Sequence, residues 1–244
     1  MTARRTPNPG GDQRAARGLA ALRTPRAAGI AGVIFAVLFG TAVLITGLPA
    51  QGSGTSFASW YTGEGSTPLV VAGLYLIPFA GIAFLWFLGV VRERVGERED
   101  RLFSTVFLGS GLLFVAMMFT AYASATALAL RIDAMGLKGQ LDTGSLQLAR
   151  ALTYSLLFVY SARTAGVFMI VTSSIALRVK SVPRWVAIVG YLVAAVLLLS
   201  IGSFEIVILL FPLWVGLFSV WIIFNPPLDT GAGAADDAVA QAVD

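Results

Sequence analysis

The chain has 244 residues, of which 57% are hydrophobic and 12% are charged, with a formal net charge of +4 and a mean hydropathy of +0.82. A soluble domain usually carries about 25% charged residues, so this chain cannot cover its surface with polar groups and needs lipid around it. It contains no cysteine and no histidine, which excludes disulfides, thiolate or imidazole metal sites and histidine-dependent proteases.

The N-terminal 27 residues hold six arginines among scattered prolines and glycines, a composition typical of a disordered cytoplasmic arm. A short interfacial helix around Arg14 and Arg17 is a second interpretation of this arm (residues 1–27). Residues 28–48 are apolar and uncharged, and they are long enough for a first membrane span. This run is longer than the apolar region of a signal peptide, which favours an uncleaved helix.

Five further apolar runs follow, each bounded by charged or turn-forming residues. Pro68 suits the first turn of the second helix, and Asn225, Pro226 and Pro227 end the last one. The third and fourth runs are longer than a hydrocarbon core of about 30 Å requires, so we expect them to tilt or to project from it. The predicted spans are about 68–91, 103–130, 148–177, 185–201 and 204–224, and a disordered tail is predicted for 225–244.

Lysine and arginine are distributed unevenly between the two sides of this predicted bundle. With the N-terminus inside, the inner segments carry thirteen of them and the outer segments three, namely Arg131, Lys138 and Arg150. Positively charged residues concentrate in the cytoplasmic segments of membrane proteins. The sequence therefore predicts an all-α transmembrane bundle of six helices with both termini in the cytoplasm.

A ridge of small residues runs along the first predicted helix. Its members are spaced by four and share one helix face, where two backbones can approach closely. They are Ala28, Gly32, Ala36 and Gly40. The ridge predicts either packing within the bundle or an interface with a second copy or a partner.

Hydroxyl-bearing side chains recur in the third and fourth predicted helices. The first set predicts helix packing, with hydroxyls bonded along or between helices, and the second predicts bonds back to the helix's own carbonyls. The first set is Ala116, Thr120 and Ser124, and the second is Thr172, Ser173 and Ser174.

Arg163 lies near the middle of the fourth span. An arginine at that depth costs a few kcal/mol or more, and such residues usually face the interior of a bundle or a wet cavity. Glu205, at the predicted outer start of the sixth helix, is the acidic residue toward which Arg163 could extend. Tyr160 shares the helix face of Arg163. Two interpretations remain open: a structural contact, or binding of a lipid headgroup or small acid.

Several classes of chemistry lack their residues in this sequence. The predicted spans hold no carboxylate pair and no lysine, and the chain has no P-loop or dinucleotide-binding fingerprint. We therefore expect no metal and no cofactor, and the lack of these residues argues against an enzyme. The arginine-rich arm lies beside a membrane span, which favours lipid headgroups over nucleic acid as its partner.

The last third of the chain carries a family resemblance, in the segments RTAGVFMIVTSSIALR, VPRWVAIVGYLVAAVLLLS and FPLWV. These segments resemble those of uncharacterised multi-pass membrane proteins common in actinobacteria, and more distantly the DUF4386 type of six-helix protein. The resemblance implies a multi-pass protein of a bacterial plasma membrane. It implies no catalytic residues.

Two functions compete on these observations. The first is a non-enzymatic accessory or scaffold subunit of a larger membrane complex, favoured by the small-residue ridge, the long third and fourth helices and the lack of reactive groups. The second is a small transporter, or a lipid- or anion-binding membrane protein, that uses Arg163 as its anion contact.

Overall fold

The computed structural model describes residues 25–46, 67–95, 101–134, 143–178, 183–200 and 205–224, and every element in these ranges is helical. The α-helices are α1 Pro25–Thr46, α2 Thr67–Val95, α3 Arg101–Ala134, α4 Thr143–Tyr154, α5 Ala162–Arg178, α6 Arg184–Leu199 and α7 Leu210–Phe224. A π-helix, Ser155–Ser161, joins α4 to α5, and a 3₁₀-helix, Glu205–Leu209, leads into α7. The predicted C-terminal tail and nearly all of the predicted arm lie outside the described residues.

Five helices are long and apolar enough to cross a membrane, which confirms the predicted multi-pass helical bundle. They are Ala27–Thr46, Val71–Arg92, Leu102–Ala127, Gln147–Arg178 and Val207–Phe224. The remaining predicted span, 185–201, corresponds to α6, which is apolar but has only 16 residues. At a rise of 1.5 Å per residue, α6 covers about 24 Å, less than a hydrocarbon core of about 30 Å.

The third and fourth spans are as long as predicted. Helix α3 has 34 residues and extends for about 51 Å. Helices α4 and α5 and the π-helix between them form one continuous rod, which packs along α3. Both elements therefore reach beyond the hydrocarbon core, at the end of the bundle where α3 stops and α4 begins.

The helices follow one another around the bundle in chain order, as a ring in which α1 also meets α7. Helix α1 packs between α2 and α7, α2 packs on α3, α3 packs on the rod, and α5 packs on α6. Contacts between α6 and α7 are few, so the ring closes loosely there. This gap places α6 at an edge of the bundle, held mainly by α5.

Phenylalanine rings from five helices fill the centre of the bundle. One ring comes from each of α1, α2, α3, α5 and α7, and all five are fully buried: Phe35, Phe84, Phe114, Phe168 and Phe211. The Phe84 ring lies 5.2 Å from that of Phe114 and 5.3 Å from that of Phe168, and the Phe114 and Phe211 rings are 4.6 Å apart, between centroids. We call this set the Phe layer; at its level these rings occupy the centre of the described bundle.

The small-residue ridge of α1 faces α7 inside the bundle. A Cβ on Gly32 would overlap the Ser219 hydroxyl and lie 3.0 Å from a ring carbon of Phe87. Ala28 is buried, and the methyl of Ala36 meets α7 at Gly216. Gly40 differs, because a Cβ there would meet no atom within 4 Å. Glycine at position 32 thus allows the close approach of α1 and α7, and an interface of the ridge with a partner stays a prediction.

The hydroxyl stripe of α3 lies mostly on the outer surface of the described bundle. Ala116 and Thr120 are exposed, and Ser124 is half-buried. The Thr120 hydroxyl donates to the Ala116 carbonyl at 2.8 Å, and the Ser124 hydroxyl to the Thr120 carbonyl at 2.8 Å. Bonding along the helix is confirmed. Ala116 and Thr120 do not pack on another helix within the described bundle, because spacing alone does not tell which face of a helix meets lipid.

Pro212 accounts for the change of helix type before α7. A proline lacks the N–H that would bond the carbonyl of residue 208, and its ring would clash with that carbonyl in a regular α-helix. The chain enters α7 through the 3₁₀-helix, which is wound more tightly than an α-helix, with three residues per turn. Pro78, by contrast, is exposed, and α2 runs through it without interruption.

Candidate functional site

The π-helix Ser155–Ser161 lies immediately before Arg163 and shapes its surroundings. At its end, the backbone N–H of Ala162 bonds the carbonyls of Leu157, five residues earlier, and Val159, three residues earlier. Short π-helical segments inside α-helices often occur at functional sites, because the wider turn leaves carbonyls free for other partners. The sequence patterns did not predict this segment.

The Arg163 side chain uses one of the carbonyls in this wider turn. Its Nη1 donates to the backbone carbonyl of Val159 at 2.9 Å. Side chains on a helix tilt toward its N-terminal end, and this bond draws the charge further in that direction. The guanidinium therefore points toward the end of the bundle where α3 and α4 project.

Arg163 lies half-buried in a groove between α3 and α5, with a volume of about 360 Å³. The lining residues are Val106, Gly109, Ser110, Leu113, Arg163, Thr164 and Val167. The groove lies on the outer surface of the bundle, away from the Phe layer, and we call it the Arg163 groove. Gly109 leaves part of it open, since a Cβ there would meet no atom within 4 Å.

The two hydroxyls of the groove are already bonded within their own helices. Ser110 donates to the Val106 carbonyl at 2.6 Å, and Thr164 to the Ser161 carbonyl at 2.9 Å. A guanidinium has five N–H donors, and the bond to Val159 uses one of them. None of the side chains that the structure describes is a carboxylate. The remaining donors of Arg163 are the groove's main capacity for binding an anion.

The other residues predicted for this site are placed differently. Tyr160 is 57% exposed and does not line the groove; its carbonyl accepts a bond from the Thr164 hydroxyl at 3.1 Å. Glu205 begins the 3₁₀-helix, and its side chain lies outside the described residues, so its contact with Arg163 stays a prediction. The sequence did not predict the groove residues that α3 contributes, because residue spacing along one helix does not show which helix packs beside it.

No protein-family model, no curated protein and no solved structure matches this chain. The resemblance to DUF4386-type proteins therefore stays a prediction. Within the described ranges, no group of three or more histidine, cysteine, aspartate or glutamate residues is placed to hold a metal ion.

Proposed function

We propose that this chain is a bacterial plasma-membrane protein that binds an anionic lipid in the Arg163 groove. The observation that carries the proposal is the half-buried guanidinium, with donors to spare, in a groove that is otherwise apolar or internally bonded. A charged arginine among apolar side chains is costly, and an anionic ligand would offset that cost. The apolar lining suits a hydrocarbon chain, and a guanidinium suits the phosphate or carboxylate at its end.

The shape of the groove supports one orientation of such a ligand. Arg163 lies at the end nearer the projecting helices, whereas Leu113 and Val167 adjoin Phe114 and Phe168 of the Phe layer, and Val106 lies about two turns beyond that layer. An acyl chain running from Arg163 toward Val167 would point to the middle of the membrane, as a lipid's chains do. With both termini in the cytoplasm, as the charge distribution predicts, this lipid belongs to the outer leaflet.

A conduit through the bundle is less well supported than a surface site. Substrates that cross a membrane protein usually do so along polar or wet paths. At the level of the Phe layer, the centre of the described bundle is filled by five buried rings. Binding of a lipid at the edge of the bundle requires no such path.

The role of an accessory or scaffold subunit remains the second candidate. The projecting ends of α3 and α4 favour it, since Leu148 and Leu152 lie four residues apart on α4 and are 70% and 47% exposed. The small-residue ridge gives it less support than the sequence suggested, because Gly32 already packs against α7.

Lipid retention by three variants tests the proposal. Arg163→Gln removes the charge, and Gly109→Leu places a side chain in the groove at a position where a Cβ meets open space. Gly89→Leu is the matched control: Gly89 lies on α2, outside the groove lining, and a Cβ there also meets no atom within 4 Å. Charge-assisted hydrogen bonds contribute about 1.5–3 kcal/mol, so we expect binding to weaken about tenfold or more in Arg163→Gln. Gly109→Leu should weaken binding by occupying the space of the ligand's hydrocarbon chain.

The measurement is native mass spectrometry of protein purified in mild detergent and titrated with phosphatidylglycerol, oleate or phosphatidylcholine. The wild type and Gly89→Leu should retain one anionic lipid in preference to phosphatidylcholine. Comparing phosphatidylglycerol with oleate distinguishes a phosphate ligand from a carboxylate. Equal retention by all four proteins would show that the groove is not the site.

A further inference from the structure

The register of α5 against α6 places the last residue of α5 beside the first residue of α6. A Cβ on Gly190 would overlap the Ser173 hydroxyl, and a Cβ on Gly166 would lie 3.2 Å from the Ala194 carbonyl. Rising residue numbers on α5 thus meet falling numbers on α6, so the two helices are antiparallel. The last residue of α5 is five beyond Ser173 and the first residue of α6 is six before Gly190, so the two lie level with each other.

Arginines occupy both of these positions and lie on the same side of the helix pair. The Ser174 and Tyr191 hydroxyls meet at 2.7 Å between α5 and α6. Arg178 is four residues after Ser174, and Arg184 is seven residues before Tyr191, so each arginine shares the helix face of one of these hydroxyls. Packed helices have axes about 8–10 Å apart, so the two long side chains can reach one ligand between them.

A ring from α3 holds the Arg178 guanidinium in place. Its Cζ lies 4.4 Å from the centre of the Phe103 ring. The attraction of a cation for a ring face fixes the position of the charge and does not use its N–H donors. Both Arg178 and Arg184 are exposed, and the described side chains include no carboxylate that would pair with them. An anion bound by both arginines would offset the repulsion between their charges.

These arginines lie at the level expected for the membrane surface. The Phe layer is near the middle of the apolar spans Ala27–Thr46 and Leu102–Ala127. Arg178 is ten residues beyond Phe168 of that layer, about 15 Å along α5. This distance is half of a hydrocarbon core of about 30 Å. The phosphates of lipid headgroups are therefore available at the level of both arginines.

The side chains around Arg184 suit a phospholipid. The neighbouring Trp185 ring meets the Trp221 ring of α7 edge to face, with 6.4 Å between centroids, and tryptophan is enriched where membrane meets water. Ile188 and Leu192 follow Arg184 at intervals of four on the same face of α6, and they are 54% and 63% exposed. Acyl chains below a headgroup at Arg184 would thus meet an apolar surface.

We propose that Arg178 and Arg184 together bind the phosphate of an anionic phospholipid, whose acyl chains lie along the exposed side of α6. Guanidinium groups bind phosphate through paired, charge-assisted hydrogen bonds. With both termini in the cytoplasm, as the charge distribution predicts, this lipid belongs to the inner leaflet. The site is at the opposite end of α5 from Arg163 and does not depend on the proposed function.

Four variants of the full-length chain test this site, and all are built on Arg163→Gln so that the Arg163 groove does not contribute. Arg178→Gln and Arg184→Gln each remove one of the two charges. Phe103→Leu removes the ring and keeps both charges. Arg92→Gln is the matched control, because Arg92 is an exposed arginine on α2 at the same end of the bundle. Thermal unfolding in detergent checks that each variant is folded.

The measurement is native mass spectrometry with phosphatidylglycerol, with phosphatidylcholine and with glycerol phosphate, which carries the phosphate without acyl chains. We expect Arg178→Gln and Arg184→Gln to retain at least ten times less phosphatidylglycerol than their parent, Phe103→Leu to retain an intermediate amount, and Arg92→Gln to match the parent. Phosphatidylcholine and glycerol phosphate should be retained only weakly by all of them.

Several results would overturn the proposal. Equal loss in all three arginine variants would show attraction by overall charge and no defined site. Loss in only one of Arg178→Gln and Arg184→Gln, or in neither, would show that the two arginines do not share a ligand. Strong retention of glycerol phosphate would identify a free phosphate as the ligand, and equal retention of phosphatidylcholine would exclude selection for an anionic lipid. Arg163→Gln is common to every protein compared, so failure of the proposed function would not change these comparisons.

Discussion

Arg163 shows how one charged residue is accommodated inside an apolar helix. Its Nη1 bonds the Val159 carbonyl four residues earlier, which draws the guanidinium toward the end of the bundle where α3 and α4 project. An arginine held at the membrane centre would cost several kcal/mol, but one that extends to the interface costs much less. The sequence placed Arg163 near the middle of its span because that span is unusually long.

Buried hydroxyls in α5 are satisfied unequally. The Thr172 and Ser174 hydroxyls donate to carbonyls four residues earlier, at 2.7 Å each, as predicted. Ser173 differs: its buried Oγ and the nearby Nε1 of Trp214 have no partner among the described residues. Both atoms pack on Gly190, where no side chain separates α5, α6 and α7. An unpaired buried polar group costs about 1–3 kcal/mol, so this junction is a weak point in the contacts that hold α6.

Two glycines of the same ridge should respond in opposite ways to enlargement. Gly32→Leu should destabilise the bundle by about 1–3 kcal/mol or more, because the new side chain meets Ser219 and Phe87. Gly40→Leu should leave stability nearly unchanged, because its Cβ enters open space. Thermal unfolding in detergent, followed by size-exclusion chromatography, measures both. Similar stability in the two variants would contradict the close approach of α1 and α7.

The π-helix Ser155–Ser161 interrupts the regular α-helical turns of the rod immediately before Arg163. A π-helical turn closes through a bond to the fifth residue and an α-helical turn through a bond to the fourth, so the π-helix holds one extra residue. The extra residue rotates α4 relative to α5 while both remain packed on α3. Residue types alone do not predict the extra residue, because it depends on how α4 and α5 both pack against α3.

Removing one residue from the π-helix should therefore be tolerated. Deletion of Tyr160, which is 57% exposed, should convert the segment to continuous α-helix and leave α5 in place. Deletion of Ile82, 58% exposed in the regular α-helix α2, is the control; it should rotate half of α2 by about 100° and remove its buried face from the core. The amount of folded protein recovered after purification measures both. Equal loss in the two deletions would argue against an extra residue in the π-helix.

At the scale of the whole molecule, the charge distribution predicts the orientation in the membrane. Thirteen lysines and arginines lie on the predicted inner side and three on the outer side, a bias that membrane insertion normally follows. A single cysteine replacing Lys138 should react with a membrane-impermeant maleimide in intact cells. A cysteine replacing Gly96 should react only after lysis. The reverse pattern would invert the orientation and move the Arg163 groove to the cytoplasmic leaflet.

The Phe layer explains why the bundle centre could not be deduced from sequence. Phe35, Phe84, Phe114, Phe168 and Phe211 each lie in a hydrophobic run that would look the same whether they faced lipid or one another. In a soluble protein, polar residues mark the outer face of a helix, but a lipid-exposed face is as apolar as a core. Whether the bundle encloses a cavity is therefore decided by packing.

The sequence by itself determined the approximate positions of the apolar spans, the excess length of the third and fourth helices and the presence of Arg163 near the middle of a span. These properties follow from hydrophobic length and charge, which act locally along the chain. Only the tertiary structure decided that the ridge of α1 packs on α7, that Arg163 shares a groove with α3, and that α6 is held mainly by α5. Each of these depends on the register between helices, which neither composition nor periodicity records.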